Sequence, residues 1–205
     1  MSTFVGNYAS IVDKYINLNN LRDGWIENLI INHPNERDSH SKLIKAGYED
    51  PAWIGVSYWA HIHVPKELIF ELDEIFGTIC CGFNISEIDV GNVAPPHQDI
   101  EPREKKFKSE GIYKRFHIHL GEPKFGHAFF VDNTCHYMEK HGNTYIWDDP
   151  DAWHAGINAG LCKKYLLSYK GIKFHDNRKI EYDWWTENNE NGCIILWKDH
   201  EWLFS

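Results

Sequence analysis

Three side chains in this sequence could hold one metal ion between them. His97 and Asp99 flank Gln98, directly after Pro95-Pro96. Residues two apart in extended chain project to the same side, so an imidazole and a carboxylate placed this way can reach one ion together. A second histidine from a later strand would complete a two-histidine, one-carboxylate face. His154, in Ala152-Trp153-His154-Ala155-Gly156-Ile157-Asn158, is the candidate. Such a face leaves three octahedral positions of Fe(II) open, enough for a bidentate cosubstrate and dioxygen. Ten residues after His154 comes Lys164, opening the apolar run Lys164-Tyr165-Leu166-Leu167-Ser168-Tyr169. A cation there is out of place unless it meets an anion, and the distal carboxylate of 2-oxoglutarate would serve. Each feature alone has an ordinary reading: an exposed loop histidine, or a strand-edge lysine whose stem lies along apolar surface. Their combination in one frame is much less expected by chance.

The elements that must position these groups are readable from periodicity. Leu21, Trp25, Leu29 and Ile30 fall at helical spacing over Asn19–Asn32, and Leu68, Ile69, Leu72, Ile75 and Phe76 form a second stripe after Pro65, with Gly77 at its end. Beyond Gly77, short runs rich in β-branched and aromatic residues alternate with turn residues. Strands are expected near Cys80–Val90, Arg115–Leu120, His127–Asp132, Cys135–Glu139, Thr144–Trp147, His154–Asn158 and Lys164–Lys173. The fold class is mainly β with N-terminal helices: a sandwich, jelly roll or barrel. One domain is expected, with a helical part over 1–78, a β core over 79–174 and a Trp-rich extension over 175–205 that could cover an open edge or a neighbouring subunit.

Bulk properties narrow the partners. The 205 residues carry a formal charge of −9, which argues against nucleic acid or anionic lipid as a partner. The cluster of Lys105, Lys106, Lys108, Lys114 and Arg115 reads as a solvated loop. No apolar run reaches transmembrane length and no secretory signal is seen, so neither a membrane partner nor export is expected. Five cysteines without a Cys-x-x-Cys pair fit reduced thiols in a cytoplasm. His61 and His63, near Trp53, Tyr58 and Trp59, are read as surface or substrate-side residues, and one of His127, His136 and His141 could face the site.

From Ser86 to Tyr169 the chain resembles the aspartyl/asparaginyl β-hydroxylase superfamily of Fe(II)- and 2-oxoglutarate-dependent oxygenases. The resemblance runs through Ser86, Gly91, Pro96-His97, Arg115-Phe116-His117-Ile118-His119-Leu120-Gly121, Gly142, Trp147-Asp148-Asp149, His154, Asn158 and Lys164. It implies a double-stranded β-helix, cupin-like in form, with iron at His97 and His154, to which the chain's own Asp99 adds a carboxylate. It also implies 2-oxoglutarate held by Ser86, His119 and Lys164, with Arg115 taken as a further cosubstrate contact. The implied activity is a dioxygenase hydroxylating an unactivated C–H bond of an amino acid, peptide side chain or other small polar acid. Three departures stand out. Animal members have glycine where Asp99 stands, so this chain is closer there to bacterial proline hydroxylases. His117 occupies a family arginine position. Lys164 replaces the distal arginine, giving a point charge instead of a fork. Arg103, Arg115 or His117 could hold a substrate carboxylate.

A rival reading places the metal on His117, His119, Glu122 and His154, as in a cupin-type enzyme or binding protein that does not use 2-oxoglutarate. Its spacing is imperfect, since Glu122 follows His119 too closely. A non-enzymatic interaction protein is a third possibility, against which the retained His97, Asp99, His154 and Lys164 count.

Overall fold

A long antiparallel hairpin, rolled up on itself, is the core of the molecule. The computed structural model describes residues 2–18, 57–60, 66–98, 109–147, 149, 152–177, 182–183 and 196–197. The hairpin tip is the turn at Asp132 and Asn133, which joins β6 (His127–Val131) to β7 (Thr134–Tyr137). Outward from it, β5 (Gly111–Leu120) pairs with β8 (Asn143–Trp147), β4 (Val93–His97) with β9 (His154–Asn158), and β3 (Ile79–Ile88) with β10 (Lys164–Phe174). Successive pairs lie in opposite sheets. Winding adds the contacts β10–β5 and β9–β6.

The result is a double-stranded β-helix. Its major sheet has the order β1-β8-β5-β10-β3-β2, where β1 is Thr3–Asn7 and β2 is Ser57–Ala60, and its minor sheet has the order β4-β9-β6-β7. The strand runs expected from sequence match these elements closely. The first 78 residues differ from expectation: besides the helices α1 (Ala9–Val12) and α2 (Lys66–Phe76) they supply the two edge strands β1 and β2. Those strands cap the edges of the major sheet, a role that four- and five-residue segments show weakly in local periodicity. The expected helix at Asn19–Asn32 lies outside the described residues, as do His61, His63, Trp53, Arg103, Lys105, Lys106, Lys108 and most of the Trp-rich extension. A two-strand ladder of β11 (Tyr182–Asp183) with β12 (Leu196–Trp197) is described within that extension.

Alternation divides the major sheet into two surfaces with different jobs. Phe83 and Ile85 of β3, Phe116, Ile118 and Leu120 of β5, and Leu167 and Tyr169 of β10 face the helices and form the main apolar core. Leu68, Ile69 and Leu72 of α2 are fully buried against them, and Phe76 stacks on Phe116 with ring centres 3.8 Å apart. Ile75 sits at the edge of the helical stripe and stays 39% exposed. The opposite residues of the same strands face the barrel interior, where among the described residues Phe129, Val131, Trp147, Ala152 and Leu166 form a second, smaller apolar cluster. Stability is thus concentrated outside the barrel, and its interior is left to polar groups.

The β7–β8 turn ties this frame to α1. Gly142 has φ +80°, and a Cβ there would lie 2.2 Å from the Ala9 nitrogen. Its N–H donates to the His119 carbonyl at 2.7 Å, so the turn also fixes the end of β5. A side chain here meets both a left-handed backbone cost of about 1–2 kcal/mol and a backbone clash. Gly142→Ala is expected to lower the unfolding free energy by about 2 kcal/mol or more, measured as a reduced urea midpoint at unchanged slope.

Candidate active site

The interior face of the major sheet carries a stack of polar ranks, set by strand register. Ser86, Leu166 and His119 lie side by side on β3, β10 and β5. Ser168, His117 and Tyr145 form the next rank, and Lys170, Arg115 and Trp147 the one beyond. Lys164, opposite Ile88, lies below the Ser86 rank. The minor sheet closes over this stack with His154, Gly156 and Phe129.

His97 ends β4 and His154 begins β9, and the two are register partners. Their ring centres are 4.2 Å apart. Two imidazoles bound side by side to one ion through nitrogens at about 2.0–2.1 Å would place their ring centres roughly 4–5 Å apart. Each ring is oriented from behind by its own backbone: His97 Nδ1–H donates to the Pro95 carbonyl at 2.7 Å, and His154 Nδ1–H to the Ala152 carbonyl at 3.2 Å. A carbonyl only accepts, so both rings carry a proton on Nδ1, which leaves Nε2 as the nitrogen that would ligate a metal. That tautomer is the one a metal-ligating histidine needs. Asp99 lies outside the described residues, and among the described residues no three His, Cys, Asp or Glu side chains converge as a metal cluster.

The four members of the cupin-type ligand set are all described, and they do not come together as a cluster. Glu122 is exposed in the turn after β5, and His117 Nε2 is engaged with Ser168 Oγ at 3.0 Å. His119 instead faces His136, with ring centres 6.3 Å apart.

Lys164 is 3% exposed. Its ammonium donates to the Ala128 carbonyl and lies 5.6 Å from the centre of the Phe129 ring. Burial drags its pKa down to about 7, with Cys135 as the opposing influence. Among the described residues no carboxylate forms a salt bridge with it. The neighbouring histidines are neutral: burial first, then the Lys164 charge and His136, push His119 down to about 3. His136 is lowered chiefly by burial, against the pull of Glu139, and His127 likewise by burial. His119 Nε2 is buried with no hydrogen-bond partner. Ser86 is buried too, its hydroxyl donating to the Leu166 carbonyl at 3.3 Å.

Between His154 and Lys164 the strand offers no side chain. At Gly156 a Cβ would stand 2.7 Å from Ile88 Cδ1 and 3.7 Å from Lys164 Nζ. Sequence reasoning did not single out Gly156; its position two residues after His154, on the same strand face, was the available signal. Glycine at this position lets the Ile88 methyl and the Lys164 ammonium lie close against the β9 backbone, two residues along from His154.

Two expectations need correction. Arg115 does not belong to a surface basic cluster: it is 2% exposed and faces the interior, with its guanidinium 5.7 Å from the centre of the Tyr113 ring. Nor is it grouped with Lys164. It lies level with Lys170, six residues along β10 from Lys164, which is roughly 20 Å of strand. One carboxylate cannot meet both. Lys163, adjacent in sequence to Lys164, points elsewhere and pairs with Glu87 and Asp89. His141 clamps the periphery, accepting from the Gly121 N–H on Nδ1 and donating to Asp13 from Nε2, each at 2.9 Å.

No family model and no curated protein matches this chain. Solved structures similar to it include a prolyl-4-hydroxylase from Pseudomonas putida (14% identity, 82% of this chain and 98% of that one, TM-score 0.41). A 2OG-Fe(II) oxygenase family oxidoreductase from Burkholderia pseudomallei matches at 14% identity over 65% of this chain and 76% of that one, TM-score 0.38. A predicted oxalate decarboxylase from Thermotoga maritima matches at 13% identity over 57% and 80%, TM-score 0.35. These likenesses are too distant to carry functional weight, and the fold assignment stands on strand order. No helix among the described residues is long and apolar enough to cross a membrane.

The buried cation has a measurable signature. Because the folded pKa of Lys164 is depressed below its unfolded value of 10.5, its charge destabilises the fold fully below pH 7. That penalty fades as pH rises from 7 to 10.5. Lys164→Met is expected to be more stable than the wild type at pH 6. Their difference should shrink by roughly 1.4 kcal/mol per pH unit above pH 7, as read from urea unfolding across pH.

Proposed function

We propose that this protein is an Fe(II)- and 2-oxoglutarate-dependent dioxygenase that hydroxylates a C–H bond of an amino acid, a peptide side chain or another small polar acid. The observation that carries this reading is the buried Lys164 ammonium, with no carboxylate bridged to it among the described residues, set against β9 at Gly156, two residues along from His154, whose ring lies 4.2 Å from that of His97. A structural lysine would gain nothing from that burial, whereas a carboxylate-ended cosubstrate would restore its charge.

In this reading His97, Asp99 and His154 would hold the metal, which would supply the activation of dioxygen for attack on a substrate C–H bond once a 2-oxo acid is bound. The protein's own residues do the positioning. Lys164 would neutralise the distal carboxylate, and His119, which feels the Lys164 charge and whose buried Nε2 has no hydrogen-bond partner, would be a further polar contact there. Ser86 lies one rank nearer the metal and can redirect its hydroxyl from the Leu166 carbonyl. Phe129 and Trp147 flank His117 and wall the centre, excluding water. Arg115, level with Lys170 and six residues along β10 from Lys164, would lie away from the cosubstrate's distal end.

The test is calorimetric titration of 2-oxoglutarate into oxygen-free, Mn(II)-loaded protein. Lys164→Met should weaken binding by about 10- to 150-fold, the worth of a hydrogen bond to a charged group, while Mn(II) affinity is retained. Gly156→Ala should weaken it as well, because the added methyl would stand 2.7 Å from Ile88 Cδ1 and displace the packing beside Lys164. Lys173→Met, on an exposed position of β10, is the control, since removing Lys163 would strand the buried Glu87. His97→Ala and His154→Ala should abolish metal binding, and Asp99→Ala should weaken it. Unchanged 2-oxoglutarate affinity in Lys164→Met, or no binding to the metal-loaded wild type, would refute the assignment.

A further inference from the structure

Trp147 ends β8 inside the barrel, and its indole nitrogen has no role in the packing around it. The residue is 1% exposed, yet Nε1 has no hydrogen-bond partner among the described residues. Its ring is hemmed in by those of His117, Phe129 and His154, with centres 4.3, 5.9 and 5.6 Å away. Val131, Ala152 and Leu166 complete the apolar cluster to which it belongs. An indole N–H only donates, and a buried donor without an acceptor is costly. Phenylalanine would serve an apolar wall without that cost.

Strand register supplies a second observation. Trp147 lies directly opposite Arg115 on β5, and Arg115 opposite Lys170 on β10. The Cβ atoms of such cross-strand partners stand about 4.5–5.5 Å apart, so an indole and a guanidinium on one face can both reach the same small group. Arg115 is 2% exposed and shares that interior face. A guanidinium carries its donors in a planar fork, enough to grip two oxygens of a ligand in addition to a contact within the protein. This rank offers N–H donors and positive charge, and the group that matches both is a carboxylate.

We infer that Trp147 and Arg115 form a second carboxylate subsite, separate from Lys164, that holds an acid group of the molecule to be hydroxylated. The inference rests on the oxygenase reading for the identity of the occupant, while the subsite itself needs neither metal nor cosubstrate. Register keeps the two anion sites apart: Arg115 is level with Lys170, six residues along β10 from Lys164. The closeness of the Trp147 and His154 rings sets the subsite beside the histidine pair. Lys164 would then select the cosubstrate and Trp147 with Arg115 the substrate, which narrows the latter to a molecule that carries an acid group.

The experiment is nuclear magnetic resonance of the full chain labelled at the indole nitrogens, in which the Trp147 Nε1–H signal reports directly on an acceptor. That signal is assigned by its absence in Trp147→Phe, or by Overhauser contacts to the His117 and Phe129 rings should that variant not fold. Acetate and its neutral isostere acetamide are the probes, added at millimolar concentration and constant ionic strength. The expected result is a saturable downfield shift with acetate and none with acetamide. Arg115→Lys, which keeps the charge and loses the fork, should weaken acetate by about 10-fold or more, whereas Lys164→Met should leave the response intact. No shift with acetate, an equal shift with acetamide, or a response lost in Lys164→Met but kept in Arg115→Lys would each overturn the subsite. With Fe(II), 2-oxoglutarate and dioxygen present, amino acids that move the signal should stimulate succinate formation and their carboxamides should not. Equal stimulation by the carboxamides would overturn the assignment to the substrate. An intact acetate response without any 2-oxoglutarate binding would sink the oxygenase reading, and with it the identity of the occupant, but not the subsite.

Discussion

Burying an ammonium group inside a β-barrel costs several kcal/mol, and much of this structure is arranged around that cost at Lys164. The main apolar core is displaced to the outer face of the major sheet, where α2 and strands β3, β5 and β10 pack without polar interruption. This leaves the barrel interior able to carry Lys164, Arg115, His117, His119, His136 and His154, all buried. A fold that relied on the interior for stability could not hold so many polar side chains there. The arrangement is the usual trade between stability and a preorganised site.

Preorganisation is visible in what each residue's backbone neighbours do. The Pro95 and Ala152 carbonyls, each two residues before a histidine, fix its proton on Nδ1. Strand register, set by the long β5–β10–β3 ladder, fixes the spacing of Lys164, His119 and Ser86 to within one residue. A slip of one residue would turn every one of these groups outward toward the helices and the apolar core inward. The same pairing that stabilises the barrel therefore fixes which end of a bound acid can meet a charge.

Much of this was legible in the sequence, for physical reasons that differ by residue. Strands β3 and β5 to β10 announced themselves through alternation and turn residues, whereas β4, which carries Pro95 and Pro96, was not expected as a strand. Lys164 was conspicuous because a cation opening an apolar strand lacks a local explanation. His97 and His154 were legible as a pair only through their residue types, since their convergence depends on β4 and β9 becoming neighbours through the rolled hairpin. What local reading could not supply was depth and rank. Arg115, in a run that looks basic and soluble, turns inward because β5 alternates in phase with His117 and His119. Gly156 matters through the close approach of Ile88 and Lys164 that it permits, which no property of glycine in isolation announces. The short edge strands β1 and β2 owe their conformation to the sheet they complete.

The central claim is that Lys164 is held ready for an anion, and its own ionisation tests this most directly. The chemical shift of the Lys164 side-chain carbon next to nitrogen can be followed through a pH titration by NMR, in selectively labelled protein with Lys164→Met for assignment. The account predicts a midpoint near pH 7 for the unliganded protein, and a rise of more than one unit when Zn(II) and 2-oxoglutarate are both present. A midpoint near 10.5 without ligand, or one that 2-oxoglutarate leaves unmoved, would contradict it.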